Sequence, residues 1–270
     1  MSERAGVINI ALEGMMMVGA FAAAVVAEKF QTSAMAPELG ALSGILAGVT
    51  LAAVYGLAVI RLRADQIVAG TAVNMLALGI TPFLCKILYG VSGATPALGL
   101  ASRFEYAPMF WAFVVVLLLH FWIKFSPSGV WVRFAGEKPD ALDAAGVSVN
   151  RVRWFATLVG GGLAGLGGAS LSIYLASSFS RNMTAGRGFM ALAALIFGNW
   201  EPIPAAVACL FFGFADALQT KLQGIVIWGS DPVPVEFIQM LPYVVTVLVL
   251  AGFVGKSRAP KALGLPFGSV

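Results

Sequence analysis

The chain has 270 residues, of which 59% are hydrophobic and 11% charged, and its mean hydropathy is +0.89. Water-soluble domains carry about 25% charged residues, so this composition excludes a globular protein bounded by water and leaves lipid as the solvent. The 17 basic and 13 acidic residues give a net charge of +4. The basic residues stand at the ends of apolar runs, where membrane orientation accounts for them, and no nucleic-acid partner is expected.

In lipid every backbone N–H and C=O must be paired within the protein, which restricts membrane spans to helices or closed barrels. Barrel strands alternate over short segments, whereas unbroken apolar runs of about 20 residues cross a bilayer as helix. Such runs occupy residues 5–27, 41–60, 67–88, 109–125, 154–176, 189–218 and 237–254. The fold class is therefore all-α, a polytopic transmembrane helix bundle. Asn9 and Glu13 interrupt the first run, which argues against a cleaved signal peptide. The sixth run is too long for one span and is broken by Asn199-Trp200-Glu201-Pro202. Proline cannot continue a helical hydrogen-bond ladder, and the carboxylate beside it resists lipid. The run divides into 189–197 and 203–218, a broken or re-entrant hairpin, which makes about seven to eight hydrophobic helices.

Basic residues cluster at Arg61 and Arg63, at Lys124, Arg133, Lys138, Arg151 and Arg153, and at Lys256, Arg258 and Lys261. The positive-inside rule places all three clusters in the cytoplasm, with the C-terminus inside, once the sixth run counts as a hairpin. No linker divides the chain, so residues 1–270 read as one membrane domain. Its long polar insertion is the stretch 126–152. There Pro139 suits a first helical position, Asp140 and Asp143 favour the positive end of the helix dipole, and Gly146 suits the stop. The product is a helix of two turns, about 10 Å long, kept slim by Ala141, Ala144 and Ala145 around Leu142. It either docks into a groove of another protein or merely returns the chain to the membrane.

The stretch Ala135-Gly136-Glu137-Lys138-Pro139 through Gly146, then Arg151-Val152-Arg153 and the glycine-rich run 160–168, resembles the coupling loop and following helix of ABC importer permeases. The nucleoside-type branch of the ribose and branched-chain amino-acid permease superfamily is most similar. The opening residues 2–15, the stretch 182–189 with 191–198, and Gln239-Met240-Leu241-Pro242-Tyr243 resemble the same branch in the same order. Members of that branch usually carry a further hydrophobic segment before the Ser2-Glu3-Arg4 opening.

The resemblance implies a permease subunit in a bacterial inner membrane, probing no chemistry of its own. It implies three partners: a separate ATPase that holds ATP and magnesium, a second and different permease, and an extracytoplasmic solute-binding protein. Glu137, Lys138, Pro139, Asp140, Leu142, Asp143 and Gly146 become the residues that couple to the ATPase. No cofactor is expected on this chain. Gly255-Lys256-Ser257 lacks the glycine of a phosphate-binding loop, since Leu250 stands in its place.

Polar groups at membrane depth are the candidates for the translocation pathway. Asn9 and Glu13, four residues apart, are expected on one helix face, lining the pathway or bonding between helices. Asn74 reaches the pathway or bridges helices. Asn182, Thr184 and Arg187 precede the broken hairpin and either contact the external binding protein, close the gate or cap the half-helix near Phe189. Asp216 and Gln219 are expected at the membrane interface. The glycine run 160–168 suits close helix packing, and Cys85 and Cys209 read as small buried hydrophobes. Two other classes compete. An ion-driven transporter calls for an inverted repeat, and none is visible. An intramembrane enzyme or metal site calls for clustered histidines, and His120 stands alone. Within the ABC class the solute reads as a nucleoside, with a simple sugar as the alternative.

Overall fold

The computed structural model describes residues 1–99, 102–103, 108–222, 240 and 258–268. Among these residues the chain is helical, and its only extended pairing is an isolated bridge between Ala94 and Ser180. A short 3-10 turn, Glu3–Ala5, precedes α1 (Leu12–Lys29), α2 (Ala36–Gly56), α3 (Gln66–Tyr89), α4 (Met109–Phe125), α5 (Pro127–Glu137), α6 (Pro139–Ala144), α7 (Val149–Ala169), α8 (Arg187–Phe197) and α9 (Pro202–Leu222). A π-helical turn extends α2 over Leu57–Arg61, and another extends α7 over Ser170–Leu175.

Among the described residues four helices are long and apolar enough to cross a membrane: α2 and α7 with their extensions, α3 and α9. The bent pair α4 and α5 makes a fifth if counted as one span. Helix α1 is 18 residues long but carries Glu13, Glu28 and Lys29. The expected last span, 237–254, lies outside the described residues apart from Met240, as does the Gly255-Lys256-Ser257 segment.

The chain forms two compact units, Met1–Phe189 with Pro260–Val270, and Met190–Ala259. In the first, α1, α2 and α7 meet along a stripe of glycines. A methyl group added at Gly165 would strike the carbonyl oxygen of Gly44, one at Gly161 would strike Ala52 and Gly48, and one at Gly168 would strike the carbonyl of Met16. Lipid supplies no hydrophobic force between helices, so dispersion at close backbone approach has to hold them, and small residues permit it. Around this seam Val7, Met15, Leu51, Tyr55 and Val73 form the main apolar cluster. At one end of the unit the segment 93–98 lies along 177–181. The Thr95 N–H donates to the Phe179 carbonyl at 3.0 Å, and the Arg181 N–H donates to that of Gly93 at 2.8 Å.

In the second unit the sixth apolar run is broken as expected. Asn199 and Trp200 adopt positive φ of 56° and 59° between α8 and α9, and Phe197 packs on Phe212 with ring centroids 5.5 Å apart.

Two expectations are corrected. The first helix begins at Leu12 and not near Ala5, because Gly6 takes φ +92° and the following residues run irregularly up to Ala11. The stretch 126–152 is not a loop around one short helix, for α5 fills its first half. Ser126 is extended, Pro127 starts α5, and the Ser126 hydroxyl accepts from the Gly129 N–H at 3.0 Å. These residues turn the chain by 77° out of α4.

Gly165→Leu is expected to abolish a monodisperse folded protein in detergent, because overpacking costs about 1–3 kcal/mol even where side chains can shift and here the obstacle is backbone. Gly79→Ala in α3, where an added methyl meets nothing within 4 Å, is expected to leave the thermal unfolding midpoint unchanged.

Candidate functional site

The irregular segment 6–11 runs through the interior of the first unit, and side chains from α2 and α3 satisfy its backbone. The Ile8 N–H donates to Gln66 Oε1 at 2.7 Å, and the Tyr55 hydroxyl donates to the Ile8 carbonyl. Asn74 serves both directions: its Nδ2 donates to the Ile10 carbonyl at 3.0 Å, and its Oδ1 accepts from the Gly14 N–H at 2.8 Å. Of the two expectations for Asn74, the geometry displays the bridge. It ties α3 to the first turn of α1, where N–H groups have no partner within the helix.

Glu13 lies in that first turn and is 6% exposed. Its Oε1 accepts from the Gly186 N–H at 2.8 Å and its Oε2 from the Gly188 N–H at 2.7 Å. The carboxylate thus caps the start of α8 from 173 residues away in the chain. Its negative charge sits at the positive end of the α8 dipole. Gly188 permits the approach, since a methyl group there would come within 2.6 Å of the Glu13 backbone nitrogen.

Asn9 does not share a helix face with Glu13, because it precedes the start of α1. It is buried, with Nδ2 3.8 Å from the sulfur of Met15. Its Oδ1 and the Thr184 Oγ1 are buried atoms with no hydrogen-bond partner among the described residues. Thr184 accepts the Arg187 N–H through its carbonyl at 2.9 Å, and the Arg187 guanidinium donates to the Met183 carbonyl at 3.2 Å. Asn182 is exposed with φ +58°. The cap on α8 therefore comes from Glu13 and not from the side chains of Asn182 or Thr184. Glu13 and Thr184 flank the start of α8, and Asn9 lies in the irregular segment that leads into the helix carrying Glu13.

The second assembly is built on α6. Pro139 opens it, Leu142 is its buried anchor, and Gly146 ends it with φ +81°. Lys138, Asp140, Asp143 and Gly146 are exposed, while Glu137 and Pro139 are half-buried. The Arg4 guanidinium stands 3.9 Å from the Glu137 carboxylate. A groove of about 440 Å³ separates residues 137–141 from Lys261, Ala262 and Leu265. Arg153 is not an exposed flank of its span: it is 3% exposed and donates to the carbonyls of Ala5 at 3.2 Å and Leu265 at 2.8 Å.

Other candidates stay apart from both assemblies. Asp216 and Gln219 are half-buried in the last turns of α9. Cys85 is buried and its thiol points to the Ala94 carbonyl at 3.2 Å, but Cys209 is exposed on α9, contrary to expectation, because that helix presents most of its apolar surface outward. The His120 ring lies edge-on to Phe121. Among the described residues no three His, Cys, Asp or Glu side chains are grouped to hold a metal.

Apolar spans combined with irregular backbone closed by buried polar side chains define a polytopic membrane protein. Residues 1–250 match the model of the branched-chain amino acid transport system / permease component family, and the chain belongs to that family. It is 37% identical to the guanosine ABC transporter permease protein NupQ of Bacillus subtilis, in an alignment covering 98% of this chain and 89% of that one. It is 36% identical to the nucleoside ABC transporter permease protein NupC of Lactococcus lactis, with the same coverage. A putative glucose ABC transporter permease protein of Haloferax volcanii, TsgC13, is 30% identical over 93% of this chain and 84% of its own length. No solved structure matches the chain. The protein is thus an ABC transporter permease subunit and not an enzyme.

Tyr55, Gln66 and Gly188 were not singled out from the sequence, and Arg153 was read there as a positive flank. The usable signal for Tyr55 and Gln66 was a hydrogen-bonding side chain inside or beside an apolar run, the criterion that had already selected Asn74. Glu13→Ala leaves two N–H groups of the α8 start without their charged acceptor, and each such bond contributes about 1.5–3 kcal/mol. Amide hydrogen exchange at residues 186–188 is expected to rise sharply in this variant, with Glu13→Gln intermediate because one carbonyl oxygen remains. Unchanged exchange in both would show that the carboxylate does not hold the helix start.

Proposed function

We propose that the chain is one permease subunit of an ABC importer for nucleosides in a bacterial plasma membrane. The observation that carries the substrate class is its 37% and 36% identity to guanosine and nucleoside permeases along 98% of its length. A glucose permease at 30% supports the second reading, a simple sugar. The partner permease is a different chain: Lactococcus lactis holds NupC and also NupB, a nucleoside ABC transporter permease protein 29% identical over 50% of this chain.

In this reading the solute passes the junction of Asn9, Glu13 and Thr184, with Asn74, Asn182 and Arg187 around its rim. A nucleoside carries hydroxyl and amide groups that must exchange water for protein partners on the way through the apolar bundle. The buried Asn9 Oδ1 and Thr184 Oγ1 have bonding capacity to offer. The solute arrives from an extracytoplasmic binding protein.

The ATPase is a separate subunit that docks on α6. Leu142 roots the helix while Lys138, Asp140 and Asp143 project from it, with Glu137, Pro139 and Gly146 shaping its two ends. Orientation follows from charge. Arg4, Arg153 and the Lys261 segment gather around α6, and Arg63 approaches Gly268 in the same tail. This end is cytoplasmic by the positive-inside rule, and the C-terminal tail lies there.

The test is uptake into proteoliposomes that contain this chain, its partner permease, the ATPase subunits and the binding protein. Labelled guanosine is expected to accumulate with ATP and to be displaced by unlabelled nucleosides but not by glucose; the opposite pattern establishes the sugar. Ala144→Pro, at the last residue of α6, removes a helical N–H and crowds the preceding turn; it is expected to reduce uptake while membrane insertion persists. Full uptake by this variant would remove α6 from the coupling role.

A further inference from the structure

The α6 assembly contains more than α6. Residues 260–268 return to the start of the chain and are fastened there by backbone bonds. The Ala262 N–H donates to the Gly136 carbonyl at 2.8 Å, at the end of α5, and the Gly264 N–H donates to the Gly6 carbonyl at 3.0 Å. Gly264 has φ +80°, which suits the turn that aims its N–H. The buried Arg153 then joins three parts of the chain. From the first turns of α7 its Nε reaches Ala5, 148 residues away, and its Nη1 reaches Leu265, 112 residues away.

A buried guanidinium is a poor way to gain stability alone, because desolvating the charge offsets most of what its bonds return. What it offers is geometry. Its planar fork of donors, always charged, holds two carbonyls at a fixed separation whatever side chains they carry. The two carbonyls belong to the segment that leads into α1 and to the tail that clasps the end of α5. The tail also forms one wall of the groove whose other wall is α6. From α6 a continuous series of bonds therefore runs through Gly136 and Ala262, through Gly264 and Gly6, and along the irregular segment 6–11 to Glu13 in the first turn of α1. It ends on the N–H groups of Gly186 and Gly188.

We propose that residues 260–268 are a coupling strap and that Arg153 is its positioning residue. The strap binds the α5–α6 corner to the start of α1, so that a displacement of α6 carries the Glu13 junction with it. This rests on the reading of α6 as the ATPase contact. Without the strap, α6 would still meet the ATPase, but the α5–α6 corner would hold the start of the chain only through the Arg4–Glu137 pair and the packing of Leu142 and Ala135 on Ala5.

The experiment measures guanosine transported per ATP hydrolysed by the reconstituted complex, a ratio that does not depend on how much protein is folded. Ala262→Pro removes the N–H that bonds Gly136, outside the membrane spans; Arg153→Gln removes the charged fork, and Arg153→Lys keeps the charge. Ala262→Pro and Arg153→Gln are expected to retain the ATPase subunit and its hydrolysis while the ratio falls by about tenfold, within the range that coupling residues command. Arg153→Lys is expected to fall less. A wild-type ratio in Ala262→Pro overturns the strap, and so does loss of the ATPase from that variant, because a strap that transmits leaves docking intact. If Arg153→Gln fails to assemble, Ala262→Pro decides alone. Absence of the ATPase from the wild-type complex would instead refute the α6 reading itself.

Discussion

The structure depends on one constraint: a backbone amide buried among apolar helices must find its partner inside the protein. A continuous helix meets that constraint by itself, whereas an interrupted one hands the obligation to side chains elsewhere. In the first unit two irregular stretches, 6–11 and 182–186 before α8, are closed from a distance. Gln66, Tyr55 and Asn74 close the first, and Glu13 closes the second. Glu13 belongs to a helix whose own start is held by Asn74, so the two closures share α1. Gln66, Asn74 and Glu13 thereby bring buried polar groups together around the start of α1.

That concentration is possible because α1 is held without polar contacts along most of its length. The glycine stripe brings α1, α2 and α7 close enough for backbone to touch backbone. Helix α4 is the opposite case. None of its 17 residues is fully buried, and most of its apolar surface is turned outward, as suits a helix in contact with lipid, while Trp122 packs on Phe155. The scaffold is thus a rigid three-helix seam with its breaks at the ends of helices. The π-helical turns that extend α2 and α7 lie outside the tightest part of that seam.

Much of the scaffold was legible because the signals involved are local. The break at Asn199 to Pro202 and the short helix opened by Pro139 and stopped by Gly146 follow from residues adjacent to the features they produce. The glycine run 160–168 announced close packing for a similarly short-range reason, the absence of side chains. Errors arose where a local reading was extended by periodicity. Asn9 and Glu13 have helical spacing, but Gly6 and the demands of Gln66 and Tyr55 keep residues 6–11 out of the helix. In the same way α5 was hidden in a stretch judged only by its polarity, although Ser126 and Pro127 carry an ordinary start signal.

Sequence alone determined the solvent, the helical class, the broken hairpin, the slim helix at 139–144 and the resemblance that named the family. Each of these depends on composition or on neighbours in the chain. Tertiary structure decided which carboxylate caps α8, which amide holds α1, and why Arg153 is buried and not a flank of its span. Those partners stand 173, 60 and 112 to 148 residues apart. A hydrogen bond has a reach of about 3 Å in space and no reach at all along the chain, so only the packing of α1, α2 and α7 could bring its ends together.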